Sequence, residues 1–419
     1  MNAKTEQNLP THRAALSGTR VLDLSRVLAG PWASQTLGDL GAEVIKVEKP
    51  HSGDDTRSWG PPYLKSQDGE VTRDAAYYLC TNRNKKSIAV DLKSRRGQEL
   101  IIELAKQSDV LIENFKVGSL KHYGLDYASL HDLNPRLIYC SITGFGHTGP
   151  YAERAGYDFL IQGMGGLMSI SGQPDGQPGA GPMKVGVALT DILTGLYAST
   201  SILAAIQARH FTGKGQHIDL ALLDVGVACL ANQSMNYLHG HYVPQRMGNA
   251  HPNTVPYQDF PTSDGYMILA IGNDGQFERF CDACGHPELG TDEDYRTNSG
   301  RLANRIRLIE ILCDITRTRT TFQWISLLEK AAVPCGPINT IADVFADPQV
   351  VSRGMQIKMN HAKAKDISLV ASPIRLSETP VQYHHAPPTL GQHTREVFQE
   401  RLHLTNEALD SLFKQGVLA

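Results

Sequence analysis

Short apolar runs alternate with longer segments of helical period along the first half of the chain, and that alternation limits the fold more than any other feature. Arg20-Val21-Leu22-Asp23-Leu24 reads as a short buried strand, Ala29 to Leu40 as a helix stopped by Gly41, and Glu43 to Glu48 as a second strand. Ser87 to Asp91, Asp109 to Glu113 and Arg136 to Ile142 read as further strands, with an amphipathic helix from Arg95 to Gln107. A long, largely buried helix is predicted from Asp191 to Arg209, and His217 to Leu223 returns as a strand. Strands alternating with helices predict a Rossmann-like, doubly wound parallel α/β sheet, because parallel neighbours need a crossover of helical length. Ligands bind such sheets where loops leave the carboxyl ends of strands. The loops after Glu48, Glu113 and Ile142 are therefore the first candidate sites.

The texture changes near residue 226, where loops lengthen and fill with Asn, Pro and Gly (RMGNAHPNTVPYQDFPTSDG). The expected organisation is a loose arm over 1–17, a large Rossmann-like domain over 18–225, a smaller inserted α/β domain over 226–340, and a segment over 341–419 that returns to the large domain. A chain of 419 residues exceeds the usual single small core. A formal net charge of -3 gives no global basic field for nucleic acid. Seven scattered cysteines fit a reducing, cytoplasmic setting better than a disulfide framework. No uninterrupted run of about 18 apolar residues is found, so no membrane partner is expected. Cys281 and Cys284, with His286 nearby, supply half of a zinc site and no second pair. They read as one apolar helix face with Phe277 and Phe280, and no metal is expected.

Seven segments carry more weight together than any one alone. They are VLDLSRVLAGP (21–31), LGDLGAEVIKVEKP (37–50), SGDDTRSWGPP (52–62), NRNKKSIAVDLK (82–93), LIENFKVGSL (111–120), NPRLIYCSITGFGHTGP (134–150) and VALTDILTG (187–195). In this order and spacing the chain resembles the class III CoA-transferases, the family of formyl-CoA transferase and the carnitine CoA-transferases. The resemblance covers roughly residues 18 to 400. It implies an interlocked homodimer in which each subunit has a Rossmann-like large domain and a small inserted one. It also implies an acyl-CoA and a small carboxylic acid as partners, with coenzyme A arriving as part of the substrate.

Asp191 matches the family's nucleophilic aspartate. On position alone it could equally cap the helix it begins. A helix N-terminus favours a carboxylate by roughly 0.3–1 kcal/mol, so Asp191 is expected to stay ionised. The resemblance also implies a set of CoA contacts. Leu28 and Ala29 match backbone along the ligand, and Lys49 a cation near the nucleotide end. Val90, Asp91, Leu92 and Lys93 match the adenine side, and Asn114, Phe115 and Lys116 the loop after the third strand. His122 stands where an arginine is common, with Lys121 as the alternative. Thr143, Gly144, Phe145 and Gly146 match the loop around the pantetheine arm. Lys49, Arg83, Lys85, Lys86 and Lys93 supply cations suited to phosphate.

For the acid, Arg26 replaces a histidine of the oxalate-using branch. The RMGNAHPN and GNDGQF stretches resemble the branch that uses succinyl-CoA and dicarboxylates. Arg26, Arg246, Asn249 and His251 are candidates for a second carboxylate, and Trp59 for the acyl pocket. The alternatives are a racemase of 2-methylacyl-CoA and a non-catalytic CoA-binding protein. The racemase branch carries a histidine in a Gly-His-Asp segment, and this chain has Gly156-Tyr157-Asp158. Tyrosine, with an ordinary pKa of about 10, is a poor base at neutral pH.

Overall fold

The computed structural model describes residues 13–419. It divides into two compact units. One comprises residues up to Gly166, Val185–Ala231 and Val351–Ala419, and the other comprises Leu167–Lys184 and Asn232–Val350.

Among the described residues, eight strands of the first unit precede the second unit's sheet: β1 (Arg20–Asp23), β2 (Glu43–Glu48), β3 (Tyr63–Lys65), β4 (Val71–Ala75), β5 (Lys85–Ala89), β6 (Val110–Glu113), β7 (Ile138–Thr143) and β8 (His217–Ala221), and an antiparallel pair, Gln356–Asn360 with Asp366–Val370, follows it. Six of them form one parallel sheet in the order β5-β2-β1-β6-β7-β8. Apolar side chains fall on both faces of the sheet because both faces are covered. Leu22, Ile88 and Leu111 belong to one core cluster, and Val21, Val110 and Ile138 to another. Each such fully buried side chain contributes about 1.5–3 kcal/mol. β3 and β4 form an antiparallel hairpin inside the stretch whose beginning reads as a polar loop.

Among the described residues seven helices precede residue 213: α1 (Ala29–Asp39), α2 (Ala76–Leu79), α3 (Arg95–Lys106), α4 (Tyr127–Leu133), α5 (Asp158–Met164), α6 (Leu167–Ile170) and α7 (Leu189–Thr212). By length and composition alone α7 could cross a membrane, although it holds no uninterrupted apolar run of that length. Thr190, Thr194, Gly195, Ala198, Ser199, Ile202, Ala205 and Arg209 form its buried face. Gly195 explains how close α7 comes to α1. A Cβ there would lie 2.7 Å from the Ala29 carbonyl oxygen and 2.9 Å from Trp32 Cβ.

Two sequence expectations need correction here. Residues 13–17 are not loose: Ala14 and Leu16 are buried, and the Leu16 N–H donates to the Leu40 carbonyl at 2.9 Å. The second unit also takes in Leu167–Lys184, which had been assigned to the large domain, and runs to Val350 rather than 340. The reason is pairing that local composition cannot reveal. Within that unit the Gly248 N–H donates to the Gly172 carbonyl at 3.0 Å, and Arg246 bonds the Gln173 carbonyl at 3.2 Å.

The second unit holds an antiparallel sheet of β9 (Tyr257–Pro261), β10 (Tyr266–Ala270) and β11 (Cys335–Pro337). The helix Asp274–Cys284 turns Phe277, Phe280, Cys281 and Cys284 into the core of that unit, together with Trp324.

Candidate active site

The strand order reverses between β1 and β6. Their following loops therefore diverge and leave a crevice, the place where open α/β sheets take ligands. Arg26 follows β1 and Asn114 follows β6, and the two residues are clasped together. The Arg26 N–H donates to Asn114 Oδ1 at 2.9 Å, and Asn114 Nδ2 donates to the Arg26 carbonyl at 2.7 Å. The next residue, Val27, has φ +69°, a costly conformation for a β-branched side chain. Its N–H is held by Asp54, at 3.2 Å from Oδ1 and 3.3 Å from Oδ2. Burial pushes the Asp54 carboxyl up. The Lys46 ammonium 2.9 Å away and bonds from Thr56 outweigh that and hold it at about 2.

Two cavities open at this crevice. The first, about 230 Å³, is lined by Arg26, Val27, Leu28 and Ala29, by Asn114 to Val117, by Ile142 to Gly144, by residues 152 and 154–157, and by Asp191 and Leu222. The second, about 220 Å³, is lined by Lys49, Val90, Asp91, Leu92 and Lys93, and by Gly53, Asp54 and Tyr123 among others. Arg26 and Phe115 line both, and the Arg26 guanidinium lies 5.8 Å from the centre of the Phe115 ring. The two cavities thus adjoin across one residue pair. That shape suits a long ligand with different chemistry at its ends.

Asp191 stands in the first turn of α7 but does not cap it. The N-cap is Ala188, with no side-chain bond. Asp158, the first residue of α5, supplies the cap instead. Its Oδ1 accepts from the Thr190 N–H at 2.8 Å, the Thr190 hydroxyl at 2.5 Å and the Asp191 N–H at 3.3 Å. The expectation that Asp191 stays ionised is corrected too. Burial, and then the neighbouring Asp158, push its carboxyl up to about 7. Removing water from a carboxylate costs more than the few tenths of a kcal/mol a helix end returns.

The segment before α5 is fixed by a glycine pair. A Cβ on Gly144 would fall 2.6 Å from Gly156 Cα, and one on Gly156 would fall 2.5 Å from Gly144 Cα. Neither has positive φ, so the requirement is space alone. Tyr77 also belongs to this neighbourhood. Burial and the charges of Asp191, Cys80 and Asp158 raise its phenol to about 12. Trp59 meets Tyr77 edge-on with ring centroids 5.2 Å apart, and neither ring lines either cavity.

This chain is 45% identical over 403 residues to the succinyl-CoA:glutarate CoA-transferase of Homo sapiens, covering 96% of this chain and 90% of that one. It is 52% identical over 393 residues to the succinate–glutarate CoA-transferase of Agrobacterium fabrum, covering 94% and 97%. The crystal structure of a CAIB/BAIF family protein from Brucella suis superimposes with a TM-score of 0.81 at 51% identity. That match covers 93% of this chain and all of the other. The sequence model of CoA-transferase family III matches residues 16–394. The chain belongs to CoA-transferase family III.

In this CoA-transferase, then, Arg26, Leu28, Ala29, Asn114, Phe115, Lys116, Thr143, Gly144 and Asp191 line one cavity. Lys49 and Val90 to Lys93 line the other. Other expected positions fall elsewhere. His122 is exposed on the 3-10 turn Ser119–Tyr123, and its neighbour Tyr123 takes the cavity wall instead. Phe145 is buried beneath Arg154, and the Gly146 N–H turns back to Thr143 Oγ1 at 2.8 Å. Arg246 pairs with Asp175 within the second unit. His251 Nδ1 accepts from the Asn253 N–H at 3.1 Å, and Asn249 is exposed in the same unit.

Three of the five cations read as phosphate ligands are engaged inside the fold. Arg83 binds Asp39, Lys85 binds Asp23 and Asn82 at 3.3 and 2.9 Å, and Lys86 binds Glu396 at 2.5 Å. Among the described residues, no group of three or more His, Cys, Asp or Glu side chains could hold a metal ion. The sequence reading missed Arg154, Tyr77 and the capping role of Asp158. Only Asp158 left a trace, as the acid of the Gly-Tyr-Asp segment.

Proposed function

We propose that this CoA-transferase moves CoA from succinyl-CoA to a dicarboxylic acid of glutarate size, with Asp191 as the covalent nucleophile. The observation that carries the reading is that Asp191 lines a cavity joined, through Arg26 and Phe115, to a second cavity bearing Lys49 and Lys93. The pantetheine arm would pass the Arg26–Phe115 pair. The thioester would then lie at Asp191 and the phosphates near the lysines. The names of the similar proteins from Agrobacterium fabrum and Homo sapiens support succinyl and glutaryl groups as the acids exchanged.

In this mechanism the ionised Asp191 attacks the thioester carbonyl, forming a mixed anhydride and expelling CoA thiolate. The thiolate attacks the aspartyl carbonyl and expels the donor acid as its carboxylate, leaving an aspartyl-CoA thioester. The acceptor carboxylate attacks that thioester, giving a second anhydride and free thiolate again. Thiolate attack on its acyl carbonyl forms the new acyl-CoA and restores Asp191. Each step exchanges one acyl bond for another, so the thioester energy is retained. Backbone N–H groups in the first turn of α1 have no partner within the helix and suit the oxyanions. The exposed apolar residues of α7, among them Leu196, Tyr197, Leu203 and Phe211, support a homodimer in which a second copy covers that face.

The test is incubation with succinyl-CoA and a panel of acids, with products followed by mass spectrometry beside Asp191→Asn. New acyl-CoA from the native protein alone supports the reading. Equal turnover by the variant would end the nucleophile assignment. Light scattering of the purified protein would test the dimer, and a monomer at micromolar concentration would count against it.

A further inference from the structure

A dicarboxylic acceptor brings a second negative charge into the cavity, and that charge needs a cation with hydrogen-bonding capacity to spare. Arg26 is not that cation, because Asp55 pairs with it at 2.8 Å. Lys116 lines the first cavity only, and it follows directly on Phe115, which lines both and so marks the side toward the second cavity. Arg154 remains. Among the described residues no carboxylate pairs with it, and its guanidinium approaches the Met164 sulfur at 4.0 Å. Its guanidinium instead lies 4.6 Å from the ring centre of Tyr151 and 5.2 Å from that of Phe145. Contact with aromatic faces orients a guanidinium while leaving its in-plane N–H groups for a bidentate carboxylate.

The backbone fixes where that fork sits. Arg154 is two residues from Gly156, which is packed on Gly144, and four from Asp158, which holds the first turn of α7. Arg154 and Asp191 are therefore attached to one short, pinned stretch and line one cavity. Resting on the transfer reading above, we propose that Arg154 is the specificity residue that takes the distal carboxylate of the acceptor acid. Lys116 serves the CoA side.

The experiment compares glutarate with its monomethyl ester, which keeps the length and one carboxylate but loses the distal charge. Arg154→Gln is expected to lower kcat/KM for glutarate by about ten- to a hundredfold, the usual loss for a charge-assisted pair. The value for the monoester should stay within about twofold. Arg154→Lys should fall between, keeping the charge but not the fork. Lys116→Ala should raise KM for the acyl-CoA whichever acid is present. Equal loss for both acids in Arg154→Gln would overturn the proposal, as would a loss of selectivity that follows Arg26→Gln instead. Calorimetric titration of glutarate into Asp191→Asn, with and without Arg154→Gln, reads binding without turnover. Failure of the aspartyl mechanism is thereby distinguished from failure of the Arg154 assignment.

Discussion

Asp158 Oδ1 accepts the backbone N–H of Asp191 at 3.3 Å, so one carboxylate closes the helix end on which the other is mounted. The arrangement keeps a second negative charge next to a group that, in the proposed mechanism, must itself become negative to attack. Asp158 is thus both a structural cap and an electrostatic brake on Asp191.

Because burial and then Asp158 raise the Asp191 carboxyl to about 7, transfer should fall in acid, by about tenfold per unit of pH below that value. Asp158→Asn keeps an oxygen for the Thr190 and Asp191 N–H groups but removes the charge. The acidic limb should then move to lower pH. A profile of kcat/KM for succinyl-CoA against pH in both proteins checks this. An unmoved limb would mean that the Asp158 charge does not act on Asp191.

The same shift has a consequence for stability. A folded-state value above the ordinary 3.8 means that the native protein holds a proton which the unfolded chain has already released. Stability contributed by that proton is complete below about pH 4 and is lost as pH rises through about 7. Asp191→Asn should therefore melt higher than the native protein at about pH 8, by a few degrees, with the gap closing near pH 4. Scanning calorimetry at the two pH values is the measurement.

Asn114→Ala removes both bonds that clasp the Arg26 peptide groups, at a cost of about 1–3 kcal/mol. It also releases the loop that holds Val27 at positive φ. Both cavities depend on that loop, so KM should rise for the acyl-CoA and for the acid together. A change in one KM alone would contradict the shared wall.

Gly156→Ala would push a methyl group against the Gly144 backbone. Neither partner is a flexible side chain, so the strand-end loop and the Arg154 segment must part. We expect a melting temperature lower by several degrees, as for overpacking of about 1–3 kcal/mol, and transfer reduced at every pH.

The parallel sheet was legible because strands covered on both faces read as apolar runs, as in Val110–Glu113 and Ile138–Thr143. β5 was read from Ser87 to Asp91, two residues further along than its observed Lys85–Ala89, because Lys85 and Lys86 look like surface charges. Lys85 is in fact fully buried against Asp23 and Asn82. A sequence displays a charge but not its partner, which is why Arg83, Lys85 and Lys86 were read as phosphate ligands. Asp191 was recognised by its motif. Its ionisation was misjudged because the helix end was visible in the sequence, whereas desolvation and the approach of Asp158 from 33 residues away were not. Arg154 and Tyr77 carry no local signal, since only the packing of Phe145, Tyr151 and Trp59 gives them a place.

Strand β5, at one edge of the sheet, leads directly into the wall of the second cavity at Val90 to Lys93. That edge is finished by residues from far down the chain. Val90 bridges to Leu418, the Asp91 N–H donates to the Val417 carbonyl at 2.9 Å, and Thr394 Oγ1 receives the Ala89 N–H at 3.1 Å. During synthesis at about 5–20 residues per second, β5 leaves the ribosome some tens of seconds before its cover exists. An uncovered strand edge is a template for pairing with other chains. The edge beside the second cavity thus stays open to mispairing until residues 394–418 have been made.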